Sequence, residues 1–217
     1  LLTVHAAPLV LPVGAAAVAQ GAVAVEGDRI VALGPFDDVM AAHPTARVRR
    51  WPGVITPGLR QWHGLWLLTR CYHPDPREAD ELGDRPLWGE AFERLAAGMD
   101  ATRRAGSVRR GLQQMLRHGT THLAGRFHDP AVRAAVARSG LTEVSAVGAP
   151  GILVGEPGLD PFAEGHDLPG SAHGPLTVGG RADLAVFDVP DEAALCAAGA
   201  GACVATVLGG RLVYRRR

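Results

Sequence analysis

The sequence contains no lysine; every one of the 22 residues counted as Lys or Arg is arginine. That absence excludes a Schiff-base lysine, a phosphate-loop lysine and a carboxylated lysine bridging two metals. Net charge is also lacking, because 22 acidic residues balance the arginines. A neutral chain does not rely on bulk charge to hold nucleic acid or an anionic membrane, so neither partner is expected. No stretch approaches the roughly 18–20 apolar residues of a membrane span. The apolar opening LLTVHAAPLVLPVG lacks a basic segment and is broken by Pro8 and Pro12, so it does not read as a signal peptide. Cysteine is scarce: Cys71, Cys196 and Cys203 are an odd, scattered set, which predicts free thiols and a cytoplasmic location. What the chain has in quantity is alanine, 28 glycines and 16 prolines, the composition of a high-GC bacterial genome. Hydrophobic residues make up 47%, enough for a folded core.

The pattern along the 217 residues changes twice. Near the start, Gly21 to Val25 and Arg29 to Leu33 read as strands joined at Glu26-Gly27-Asp28. Phe36 to Ala42 reads as a short helix closed by His43-Pro44, and Arg47 to Trp51 and Val54-Ile55 as further strands. The centre is helical, with helices predicted over about 89–104 and 107–117. Val108, Leu112, Met115 and Leu116 fall at helical spacing in the second, and Gly119 follows as its stop. Thr120 to Ala124 reads as a strand. Asp129-Pro130 opens a helix that ends at Gly140, and Glu143 to Val147 reads as a strand. Residues 148–175 are rich in Gly, Pro and Asp and read as loop. Strands return over Ala182 to Asp188, a short helix over Pro190 to Ala198, and a final hairpin over Cys203 to Leu208 and Arg211 to Tyr214.

The end segments GAVAVEGDRIVALGP, GVITPGL, GPLTVGGRADLAVFDV and VLGGRLVYR resemble the amidohydrolase superfamily, as does the middle segment GLQQMLRHGTTHLAG. The closest flavour is the composite domain of aminodeoxyfutalosine deaminases and imidazolonepropionases. The resemblance implies an α+β fold: a β-sandwich made from both chain ends, residues 1–58 with 174–217. Between them, 59–173 would be an inserted αβ remnant of a TIM barrel. A complete barrel typically takes ~250 residues, and the insertion has room for about three strand-helix units.

The family carries an HxH metal pair after PGL, on the first barrel strand, where alternate side chains share a face. Here the segment is PGLRQWHGL, so His63 stands at the first position and Leu65 at the second. His63 is therefore expected to be a vestigial metal ligand. No cofactor and no catalytic residue are expected, and zinc is the metal to test for. A second group, His118, His122, His128 and Asp129, could hold zinc. Its members also fit as a helix-end histidine, a mid-strand histidine and a helix cap. Cys71 near His73 is a poor nucleophile-base signature, and the Gly-rich stretch 147–158 matches no phosphate-binding spacing. Asp183, by its position in the resemblance, is structural.

The apolar run Trp62, Leu65, Trp66, Leu67 and Leu68 reads as core or as interface, with Trp62, Leu65 and Trp66 the interface candidates. The expected function is that of a degenerate, non-catalytic binding or accessory subunit. Its partner would be a second copy or a heteromeric enzyme, with the resemblance pointing to menaquinone (futalosine) biosynthesis. The alternative is a hydrolase acting on non-peptide carbon–nitrogen bonds, a deaminase or cyclic amidase.

Overall fold

The structure, a computed structural model, describes residues 2–146, 156–163 and 167–216. In chain order its strands and helices are β1 (Leu2–Val10), β2 (Val18–Glu26), β3 (Arg29–Pro35), α1 (Phe36–Ala42), β4 (Arg47–Arg50), β5 (Val54–Pro57), β6 (Leu59–Gln61), α2 (Gly64–Thr69), β7 (Cys71–Tyr72), α3 (Ala79–Leu82), β8 (Leu87–Trp88), α4 (Gly89–Ala96), α5 (Ala101–Arg117), β9 (Thr120–Ala124), α6 (Pro130–Ser139), β10 (Thr142–Val144), α7 (Leu168–Ser171), β11 (Leu184–Phe187), α8 (Glu192–Ala198), β12 (Cys203–Leu208) and β13 (Arg211–Arg215). The fold is mixed α+β. It divides into two compact units, one of 1–60, 116–121 and 160–217, the other of 61–115 and 122–159.

The first unit is built on an eight-stranded sheet ordered β13-β12-β11-β5-β1-β2-β3, with β4 pairing to β1. Strands from both chain ends enter this one sheet, and β1 and β5 join them. The apolar opening segment is β1, an element its proline content had concealed. Pro8 has no N–H to give to a ladder. It falls where β1 changes partner: β4 pairs with Thr3 to Ala6, and β5 with Leu9 and Val10.

The sheet folds back over its own apolar face. Ile30 N–H donates to Gly180 O at 2.9 Å and Ala182 N–H to Asp28 O at 2.8 Å, tying the start of β3 to the approach to β11. Val23, Val25 and Ile30 consequently share a core with Leu184, Val186, Ala205 and Val207. Each of these valine, leucine and isoleucine side chains contributes about 1.5–3 kcal/mol on leaving water. A second cluster contains Val54, Leu59, Phe187, Leu195 and Cys203. Gly119, at φ +73°, lies against it; an added Cβ would sit 2.9 Å from the Ala185 side chain.

In the second unit α5 buries Val108, Leu112 and Met115 at helical spacing. The predicted break near 105–106 lies instead over 97–100, where Asp100 accepts from Arg103 N–H at 2.7 Å. Gly106 and Gly111 stay inside the helix. Gly111 is needed for close approach, since a Cβ there would meet His73 Nε2 at 2.6 Å. Asp129 caps α6 through Ala131 and Val132 N–H, and Gly140 ends it at φ +81°. Strand β10 pairs in parallel with β9, in a sheet ordered β10-β9-β6. Val147, the end of the strand expected over 143–147, lies outside the described residues, as do 147–155 of the Gly-rich stretch. The region expected as loop over 148–175 contains the short helix α7, capped by Asp167.

Candidate functional site

The segment carrying the family-like metal position begins as strand and then changes geometry. β6 ends at Gln61, whose side chain is buried. Gln61 Oε1 accepts from His63 N–H at 3.1 Å, and its Nε2 donates to Leu159 O at 3.0 Å. That amide turns the chain at Trp62-His63. His63 becomes the N-cap of α2 without a side-chain capping bond, and Leu65 is the second residue of the helix. At 100° per residue, positions 63 and 65 diverge by about 200° on a helix. The alternation that would aim both at one ion on a strand does not operate here.

The remaining candidates are dispersed. His118 follows the C-terminus of α5, His122 is buried mid-strand in β9, and His128 is exposed before α6. Asp129 spends its carboxylate on the α6 cap, which holds it below the usual carboxylate range. His166 lies outside the described residues. Among the described residues no three His, Cys, Asp or Glu side chains gather as a metal group. A zinc centre takes about three protein ligands, so the described residues do not fit one.

Cys71 and His73 do not form a nucleophile-base pair. Burial pushes the Cys71 thiol up to about 12, partly offset by the Trp66 indole N–H donating to its sulfur. Such a thiol carries negligible thiolate near neutrality. His73 is buried and gives its Nε2–H to Leu67 O at 2.9 Å. Asp183 is also structural in its contacts. Its Oδ1 accepts Gly209 N–H at 2.7 Å, and Arg181 lies 3.5 Å from Oδ2, so it pins the turn between β12 and β13.

Helical spacing sorts the apolar run. Gly64, Leu67 and Leu68 are buried, whereas Leu65 is 40% and Trp66 39% exposed; Trp62 is half-buried. Trp88 is exposed too, and it stands opposite Cys71 in the β7–β8 pair.

A polar cluster in the same unit escaped the sequence reading. Tyr72 Oη donates to Glu78 Oε2 at 2.6 Å, Arg103 Nη2 donates to Glu78 Oε1 at 2.6 Å, and Arg110 Nη1 to Asp75 Oδ2 at 3.1 Å. Asp75 and Glu78 form a capping box on the turn Pro76–Glu78. The string Asp75-Pro76-Arg77-Glu78 was the available signal.

Residues 21–46 match a family model described as imidazolonepropionase-like composite domain, bacteria. The match covers most of β2, with β3 and α1, the segment whose strands and helix were legible in the sequence. Among solved structures, the chain is similar to an adenosine deaminase from Xanthomonas campestris with bound zinc, at 22% identity and TM-score 0.48, covering 65% of this chain and 33% of that one. E. coli guanine deaminase aligns at 15% identity and TM-score 0.46, over 67% and 36%. Helicobacter pylori aminofutalosine deaminase aligns at 16% and 0.43, over 67% and 33%. The chain thus spans about a third of the length of these structures. No curated protein sequence matches.

Proposed function

We propose that this chain is a non-catalytic member of the amidohydrolase-like proteins, a binding or accessory subunit that has lost metal-dependent hydrolysis. The observation that carries the reading is the geometry at 61–65, where His63 caps a helix and Leu65 follows it on a diverging face. In this reading the β10-β9-β6 sheet and its helices are a remnant of the barrel's first three strands. The sheet of the first unit resumes with β11 at Leu184, which leaves too few residues between for eight strand-helix units. Leu65 and Trp66 then serve as anchors for a second copy or for a partner enzyme. Menaquinone biosynthesis is the partner class suggested by the composite-domain resemblance.

The second reading is a hydrolase of non-peptide carbon–nitrogen bonds. The composite-domain match over 21–46 favours it. One experiment separates the two: elemental analysis of the purified protein, with hydrolysis of aminopurine nucleosides and imidazolones measured with and without added zinc. The accessory reading expects no stoichiometric metal, no ammonia release from the nucleosides and no ring opening of the imidazolones. One bound metal per chain, with turnover abolished in His63→Ala, overturns it and establishes the hydrolase.

A further inference from the structure

The sheet of the first unit carries a cavity of about 410 Å³. Its polar lining consists of Gln20, Asp37 and Arg50, and its apolar lining includes Pro35, Phe36 and Trp51. The volume falls within the roughly 300–1,000 Å³ of small-molecule sites, which combine apolar walls with a few convergent polar groups. Three elements supply those groups. Arg50 ends β4, opposite Ala6 of β1; Asp37 lies in the first turn of α1; Gln20 lies in β2 with a left-handed backbone at φ +45°.

The charges are unused. Arg50 stacks its guanidinium 4.4 Å above the Phe36 ring, which fixes the cation at the wall without neutralising it. Among the described residues neither Arg50 nor Asp37 forms an ion pair, although both line the same cavity. The Gln20 side chain is likewise without a hydrogen bond. A cation and an anion facing one space at more than ion-pair distance are complementary to a molecule bearing both signs. A guanidinium takes a carboxylate in two parallel bonds, and a carboxylate takes an ammonium. The Trp51 and Phe36 side chains give the wall apolar surface against which a ring can lie.

We propose that this cavity binds a small zwitterion, a carboxylate and an ammonium on one molecule that also carries a planar apolar ring. The carboxylate seats on Arg50 and the ammonium on Asp37. Gln20 donates or accepts at the rim. The site is independent of the histidine segment and of any hydrolytic activity.

Titration calorimetry on the full chain tests the pairing of charges. The probes are L-phenylalanine, its carboxamide, which lacks the carboxylate, and 3-phenylpropionate, which lacks the ammonium. L-phenylalanine is expected to bind in the range of roughly 1 mM or tighter, and each truncated probe at least about tenfold more weakly. Arg50→Gln should erase the difference between phenylalanine and its carboxamide. Asp37→Asn should erase the difference between phenylalanine and phenylpropionate. Both positions are exposed, so the variants keep the fold, which an unchanged melting temperature verifies. Equal binding of all three probes, no binding of phenylalanine at about 10 mM, or discrimination that survives both substitutions overturns the proposal.

Discussion

Trp51 donates its indole N–H to His5 Nδ1 at 3.0 Å, with the two rings stacked at an interplanar angle of 9°. His5 is buried in β1 and opposite Arg49 of β4. Accepting that bond requires an unprotonated Nδ1. Burial, with the Arg49 charge adding to it, lowers the imidazole from 6.5 to about 4. The unfolded chain therefore binds the proton more readily than the folded one. Stability is complete above about pH 6.5 and is lost as pH falls toward 4, by roughly 3 kcal/mol at the limit. Urea unfolding at a series of pH values is expected to show that slope, and His5→Phe to flatten it. An unchanged slope in His5→Phe would remove His5 as its source.

The clamp formed by Tyr72, Glu78 and Arg103 gives a second expectation. Burial opposes ionisation of Glu78, but hydrogen bonds from Tyr72, Asp75 N–H and Arg103 outweigh it and hold the carboxyl below its usual range. Its contribution is present above the unfolded pKa and fades as pH falls through the folded one. Glu78→Gln and Arg103→Met should each destabilise by about 1–2 kcal/mol, discounted for partial exposure. The double variant should cost less than the sum, with a coupling of about 1 kcal/mol in a mutant cycle. Additive effects would mean that the pair is screened by solvent.

Two glycines of α5 should respond to alanine with opposite signs. At Gly111 the new Cβ would lie 2.6 Å from His73 Nε2, on a ring fixed by its bond to Leu67 O. Overpacking of about 1–3 kcal/mol outweighs the ~1 kcal/mol gain in helix propensity, and the melting temperature falls. At Gly106 the nearest atom is Arg110 Nη1 at 3.1 Å, which Asp75 Oδ2 holds at 3.1 Å but which has to give by only a few tenths of an ångström. There helix propensity prevails and the melting temperature rises. Calorimetry of the two variants checks both signs.

Trp66 tests the interface proposal. Light scattering at micromolar concentration should give a mass above the 22.7 kDa of one chain, or a complex with a native-host enzyme. Trp66→Glu should abolish that association with little effect on folding, since the ring is 39% exposed. A wild-type mass near 22.7 kDa together with partner binding indifferent to Trp66→Glu would reject the anchoring role.

Arg49 sits beside Arg47 and Arg215. Burial, then these two like charges, lower its guanidinium. Salt screens such repulsion. Melting temperature is expected to rise with sodium chloride, and Arg47→Glu to reduce that dependence. A salt response identical in the variant would assign it elsewhere.

Local chemistry was enough to read much of the frame. The span Phe36–Ala42 follows from His43-Pro44, α6 from Asp129-Pro130 and Gly140, and the last hairpin from Gly209-Gly210, because turns and caps act within a few residues. The resemblance at 21–46 lay in the same kind of signal. Long-range pairing was hidden. Nothing near Pro8 announces that β1 is an interior strand, because its partners come from residues 18–26, 47–50 and 54–55. His63 shows the same limit at the candidate site. PGLRQWHGL reads as a strand by resemblance, but the Gln61 bond to Leu159, almost a hundred residues away, helps turn the chain into a helix. The Asp37–Arg50 cavity likewise exists because the folded sheet brings a helix start and a strand end to one space, and no local spacing encodes that encounter.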